Sequence, residues 1–138
     1  IKVRDAMYDP FEYLMLRHRD GKLNTDFKNS LGKVSYQVPC HLRVQNIGLK
    51  TRDLLQLVPD TTVEAIERCS GHDGTYAVKQ EYHDISKKIA RPVVNRVKKA
   101  ESDHFTSDCP MAADQISQGL DDRKGEHPMG LLKHAYGI

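Results

Sequence analysis

The sequence has few cysteines, and this scarcity excludes a domain built on disulfides. Its 138 residues contain three cysteines, a low and odd number, whereas small secreted domains carry more cysteines, in pairs. In a reducing cytosol, spaced cysteines bind metal or take part in redox chemistry more often than they form disulfides. We therefore expect a cytoplasmic protein whose cysteines belong to a functional site.

The sequence also lacks a strong net charge and long apolar runs. Its formal charge of +2 is too small for the clustered basic surface that nucleic-acid binding needs. No run approaches the roughly 20 apolar residues of a membrane-spanning helix, and the start, Ile1-Lys2-Val3-Arg4, contains no apolar signal segment. We expect no nucleic-acid partner, and association with the inner face of a membrane only through partner proteins.

Alternating strand and helix patterns predict an α/β fold in one domain, residues 1–138. The predicted strands are 33–38, 61–67 and 104–107. The predicted helices are 9–21, 46–57, 75–100 with a break or kink at Pro92, 110–120 and 128–136. This alternation favours a small parallel sheet of about three strands with covering helices.

Each cysteine follows the end of a predicted strand. Cys40, Cys69 and Cys109 come shortly after the first, second and third strand. Because parallel strands all end at one edge of a sheet, and open α/β sheets bind ligands at that edge, we expect the three thiols to share one metal centre. The alternative is that they are three unrelated buried thiols.

Residues beside the cysteines are candidates to complete such a centre. His72 is the first choice for a fourth ligand because its glycine-flanked loop allows the ring to turn inward, and His41, next to Cys40, is the second. Gly71 and Gly74 allow the backbone to approach a ligand closely and donate N–H groups to sulfur. Alternatively, both histidines are polar residues of the crevice that donate hydrogen bonds without binding metal.

Three segments around the cysteines carry a resemblance to a known family. They are PCHL at 39–42, CSGHDGTY at 69–76 and SDCP at 107–110. Here the sequence resembles the cysteine-rich CCG domain of the heterodisulfide reductase family, whose motif is a cysteine, then Cys-Cys-Gly, then Cys-x-x-Cys. Further similar segments, toward the C-terminal part of the iron–sulfur subunits of anaerobic glycerol-3-phosphate dehydrogenases, are VRD at 3–5, GKLNT at 21–25 and HPMGLL at 127–132.

The resemblance implies an iron–sulfur cluster, of the 4Fe-4S type, bound by Cys40, Cys69 and Cys109. It implies a non-catalytic, electron-transferring role in a glycerol-3-phosphate dehydrogenase-like or heterodisulfide-reductase-related complex. The partner would be a flavin-linked dehydrogenase subunit or another redox protein, with electrons passing toward a membrane quinone pool. It also implies that residues 1–138 are the C-terminal part of a longer iron–sulfur protein.

Two positions depart from the family motif and keep other functions open. The second cysteine of Cys-Cys-Gly is Ser70 here, and the last cysteine of Cys-x-x-Cys is Ala112. A single cubane cluster, with one iron left for histidine or an external ligand, therefore suits the sequence better than the double cluster of some relatives. A structural or sensing zinc domain with a Cys₃His site is the main alternative. A thiol-based site that reduces a disulfide at an open iron is another.

Overall fold

Three parallel strands form the centre of the molecule. In this computed structural model, which describes residues 1–121 and 123–138, the strands are β1 (Gly32–Gln37), β2 (Thr61–Ile66) and β3 (His104–Ser107). Their order in the sheet is β2-β1-β3, and both pairings are parallel. The prediction of a small parallel sheet is therefore confirmed, with strand bounds within one residue of the expected ones.

The last residues of the three strands lie side by side. Gln37 at the end of β1 pairs with Ile66 of β2 and with Ser107 of β3. Neighbouring strands are separated by about 4.8 Å, so the chain leaves the sheet at three closely spaced points. These three exits form the carboxyl edge of the sheet.

Helices cover the sheet on both faces. The helices are α1 (Lys2–Asp5), which is fully exposed, α2 (Pro10–Arg19), α3 (Cys40–Gln45), α4 (Lys50–Leu55), α5 (His83–Ala100), α6 (Pro110–Ser117) and α7 (Pro128–Tyr136), with a short 3-10 helix at Gln80–Tyr82. The Asp9 carboxylate caps α2 by accepting hydrogen bonds from the Phe11 and Glu12 N–H groups, as the Asp-Pro signal predicts. Among the described residues, no helix combines the length and apolar character that crossing a membrane requires.

The core consists of two apolar clusters. One joins α2, α4 and α7 to the sheet through Phe11, Leu54 and Leu131, together with Val34 and Tyr36 of β1. The second joins α5 and α6 to the sheet through side chains that include Val93, Val97, Phe105 and Ile116. Because helices cover both faces, the last four residues of β1 are all buried, as expected for the central strand of a parallel sheet.

Two helices begin later than predicted, and α5 continues through Pro92. The helix expected at 46–57 spans only α4, from Lys50 to Leu55. The sequence did not predict α3, which ends where Asn46 adopts a left-handed conformation (φ 54). The helix expected from residue 75 begins at His83. Pro92 does not break α5. It has no N–H to donate to the Lys88 carbonyl oxygen, but both residues lie on the exposed side of the helix, where water can solvate that oxygen.

Candidate metal centre

The three cysteines lie at the carboxyl edge of the sheet. Cys40 is the first residue of α3, Cys69 follows the end of β2, and Cys109 is the N-cap residue of α6. All three are free thiols; Cys40 and Cys69 are exposed and Cys109 is half-buried. They are therefore not buried core residues, so the burial assumed in the alternative of three unrelated thiols is wrong.

The backbone around Cys69 donates to its sulfur. The Gly71 N–H donates a hydrogen bond to Cys69 Sγ, 3.4 Å away. Gly71 has φ +81, and a Cβ there would lie 2.3 Å from the Ser86 carbonyl oxygen of α5, so only glycine fits. The Ser86 hydroxyl donates to the Gly71 carbonyl oxygen at 2.5 Å. This loop is therefore held against α5 with one N–H directed at a thiol.

His72 is oriented by Ser70, two residues earlier in the chain. The Ser70 Oγ lies 2.6 Å from His72 Nδ1, and Ser70 is buried while His72 is half-buried. With Nδ1 engaged, Nε2 is the ring nitrogen left for a ligand, and metal-binding histidines usually hold their other nitrogen in such a hydrogen bond. His41 is exposed as the second residue of α3, and Gly74 has φ +53 with open space around it.

Asp108, immediately before Cys109, belongs to a polar cluster that sequence reasoning missed. Its two carboxylate oxygens accept hydrogen bonds from the Tyr36 hydroxyl, at 2.5 Å, and from the Thr51 hydroxyl, at 2.7 Å. Burial raises the pKa of Asp108 above its usual range, and the two hydrogen bonds partly offset that rise. Burial and the neighbouring Asp108 raise the pKa of Tyr36, so its hydroxyl stays a donor. The cluster ties the Cys109 segment to β1 and α4.

A cleft of about 570 Å³ opens beside Cys40. Its lining includes Leu42 and Arg43 of α3, Leu49, and Glu67 at the end of β2. The cleft gives the Cys40 side of the carboxyl edge access to solvent and to small molecules.

The structure places the candidate ligands at one edge without assembling them into a ligand cage. Within residues 1–121 and 123–138, no group of three or more His, Cys, Asp or Glu side chains is close enough to hold a metal ion. The donor chemistry nevertheless fits a soft metal or an iron–sulfur cluster. Three accessible thiols, one of them already accepting an N–H hydrogen bond, share this edge with an imidazole whose Nδ1 is engaged.

Comparison with known proteins identifies relatives that share these segments. Residues 34–115, from β1 to α6, match the family model of the CCG cysteine-rich domain, and the match contains all three cysteines. Over 104 residues the chain is 32% identical to a subunit of the anaerobic glycerol-3-phosphate dehydrogenase, both in Escherichia coli (strain K12) and in Escherichia coli O157:H7. The alignment covers 75% of this chain and 26% of each relative, so the chain spans about a quarter of their length. The resemblance seen in the cysteine segments is confirmed.

Proposed function

The chain belongs to the CCG cysteine-rich domain family, and from this premise we propose that it is an iron–sulfur electron-transfer domain. It would act in a glycerol-3-phosphate dehydrogenase-like or heterodisulfide-reductase-related complex. The observation that carries the proposal is the placement of three free thiols, two exposed and one half-buried, two or three residues beyond the ends of three parallel strands. Such an arrangement brings soft ligands from separate segments to one edge, where an open α/β sheet binds its ligands.

The proposed ligands are the thiolates of Cys40, Cys69 and Cys109, with His72 Nε2 as the fourth and His41 as the second choice for that position. A bound cluster would supply one-electron transfer. The chain itself supplies charge and orientation: the Gly71 N–H stabilises negative charge on the Cys69 sulfur, and Ser70 holds the His72 ring. Gly74 allows the loop to adopt a left-handed turn after these residues.

We propose a single 4Fe-4S cluster rather than the double cluster of some relatives. At the two positions where the family motif has further cysteines, this chain has Ser70, 3% exposed, and Ala112, 1% exposed. Alanine offers no ligand atom, and the Ser70 hydroxyl is engaged with His72. Three thiolates suffice for one cubane cluster with a fourth ligand of another type.

The proposed setting is a multisubunit oxidoreductase. We take residues 1–138 as one cysteine-rich domain of a longer iron–sulfur protein, since the curated relatives are about four times longer than the aligned region. The domain would be a non-catalytic part of the complex that exchanges electrons with a flavin-linked dehydrogenase subunit or another redox protein. It would act in the cytoplasm, at the inner face of the membrane through its partners.

A structural or sensing zinc site is the second candidate. The Ser70–His72 hydrogen bond favours it, because a Cys₃His set with an oriented imidazole is a common structural zinc site. This site would have no redox role and would stabilise the carboxyl edge by joining three segments.

Metal analysis of protein prepared without oxygen distinguishes the two candidates. Iron and acid-labile sulfide in the purified or reconstituted chain, with an electron paramagnetic resonance signal after reduction, would support the iron–sulfur domain. One zinc per chain and no response in a redox titration would support the zinc site. A chain that takes up neither metal would overturn both.

A further inference from the structure

We propose that Gln37 is the positioning residue of the metal centre, because its side chain bonds to all three segments that carry the cysteines. Its amide stands at the end of the central strand, and its hydrogen bonds reach beyond the last rung of the sheet. The role of Gln37 at the metal centre rests on the proposed function. Its link between the three segments does not, because that link consists of hydrogen bonds within the chain.

The Gln37 amide has three partners on three different segments. Its Nε2 donates to the Val38 carbonyl oxygen at 3.0 Å and to the Arg68 carbonyl oxygen at 2.9 Å. Its Oε1 accepts a hydrogen bond of 2.8 Å from the Ser107 hydroxyl. The side chain is 1% exposed, so these bonds form in a medium where they are strong and costly to leave unmade.

Each partner of Gln37 lies one or two residues before a cysteine in the chain. Val38 is two residues before Cys40, and Arg68 is immediately before Cys69. The link to Cys109 is closer still, because the Ser107 hydroxyl that donates to Gln37 also accepts the Cys109 N–H at 3.3 Å. One buried amide thus connects the backbone before Cys40, before Cys69 and at Cys109.

The sheet register alone does not supply this coupling. The paired register ends at Gln37, Ile66 and Ser107, followed by one more main-chain hydrogen bond, from the Val38 N–H to the Ile66 carbonyl oxygen at 3.0 Å. Past that bond the three segments lead into α3, the Cys69 loop and α6. A methionine at position 37 would fill nearly the same volume and keep the core apolar, but it would offer no donor to Val38 or Arg68. The amide therefore contributes orientation that packing cannot replace.

Hydrogen exchange on the metal-free chain tests the positioning role independently of any metal. In Gln37→Met we expect the hydrogen-bonded N–H groups of Val38, Gly71 and Cys109 to exchange faster by about tenfold, the factor that loss of roughly one net hydrogen bond produces. Ser35→Ala is the matched control: Ser35 is a fully buried polar residue two positions earlier in β1, where its hydroxyl has no partner among the described residues. Val34→Ala controls for lost stability, since it removes core volume from the same strand.

Reconstitution with iron and sulfide then tests the effect on the centre. We expect Gln37→Met to alter the paramagnetic resonance spectrum or to lower the iron bound per chain, while Ser35→Ala and Val34→Ala reproduce the wild-type spectrum. Unchanged exchange at the three cysteine segments in Gln37→Met would overturn the positioning role. Faster exchange in Gln37→Met would support Gln37 as the link between the segments, whether or not metal binds. If the wild-type chain then binds no metal, the proposed function is overturned.

Discussion

The Tyr36 hydroxyl donates a 2.5 Å hydrogen bond to the Asp108 carboxylate, and this bond joins the central strand to the residue that precedes Cys109. The sequence separation of these two residues is 72, so the contact exists only because β1 and β3 are neighbours. Together with the Gln37 network it shows that the Cys109 segment is held from two sides by buried polar groups.

Tyr36→Phe should destabilise the fold by about 1–3 kcal/mol, because it removes a charge-assisted hydrogen bond to the half-buried Asp108 carboxylate while keeping the aromatic ring in the core. Urea unfolding of the metal-free chain measures the change in the free energy of unfolding. Tyr13→Phe, at a half-exposed tyrosine of α2, is the control and should leave the unfolding midpoint unchanged. Equal midpoints for both variants would contradict the role of the Tyr36 hydroxyl.

Gly71→Ala should be more destabilising than Gly74→Ala. Both glycines have positive φ, so each alanine carries the strain of left-handed backbone, about 1–2 kcal/mol. Only at Gly71 would the new Cβ also meet backbone, the Ser86 carbonyl oxygen, whereas the space around Gly74 is open. Thermal unfolding of both variants measures the difference, and a Gly74 variant as unstable as the Gly71 variant would refute the close-approach argument.

Cys69→Ser should abolish or strongly reduce iron binding, because it removes the one thiol that already accepts a backbone N–H hydrogen bond. His72→Ala should keep part of the iron and change the spectrum, since it removes a single proposed ligand and leaves the three thiols. The readouts are iron per chain and the reduced-state resonance spectrum. His134→Ala, on α7, is the control, and retention of full iron by Cys69→Ser would show that the ligand assignment is wrong.

Tyr136 should give the fold an alkaline pH dependence. Burial raises the pKa of Tyr136 above its ordinary value of 10.0, and its hydroxyl donates to the Asn24 carbonyl oxygen. Because the folded pKa is the higher one, its contribution to stability is complete below pH 10.0 and is lost as the pH rises through the folded value. Denaturation measured from neutral to alkaline pH should show a steeper loss in the wild type than in Tyr136→Phe; parallel curves would contradict this.

Local signals explain which elements were predictable. The strands were found within one residue because β-branched residues and flanking Pro or Gly mark short buried strands wherever they occur. The start of α2 was found because Asp9 and Pro10 carry their own capping and backbone preferences. The end of α3 at Asn46 was not predicted, because Asn46 takes up a left-handed conformation that many asparagines do not adopt.

The sequence by itself determined the parallel sheet, the position of each cysteine just after a strand, and the family, because these follow from local patterns and from motif spacing. Only the tertiary structure decided what surrounds the thiols. The partners of Gln37 at Arg68 and Ser107 are 31 and 70 residues away in the chain. Hydrogen bonds between such distant residues depend on strand order and register, which bring together side chains that no local pattern relates.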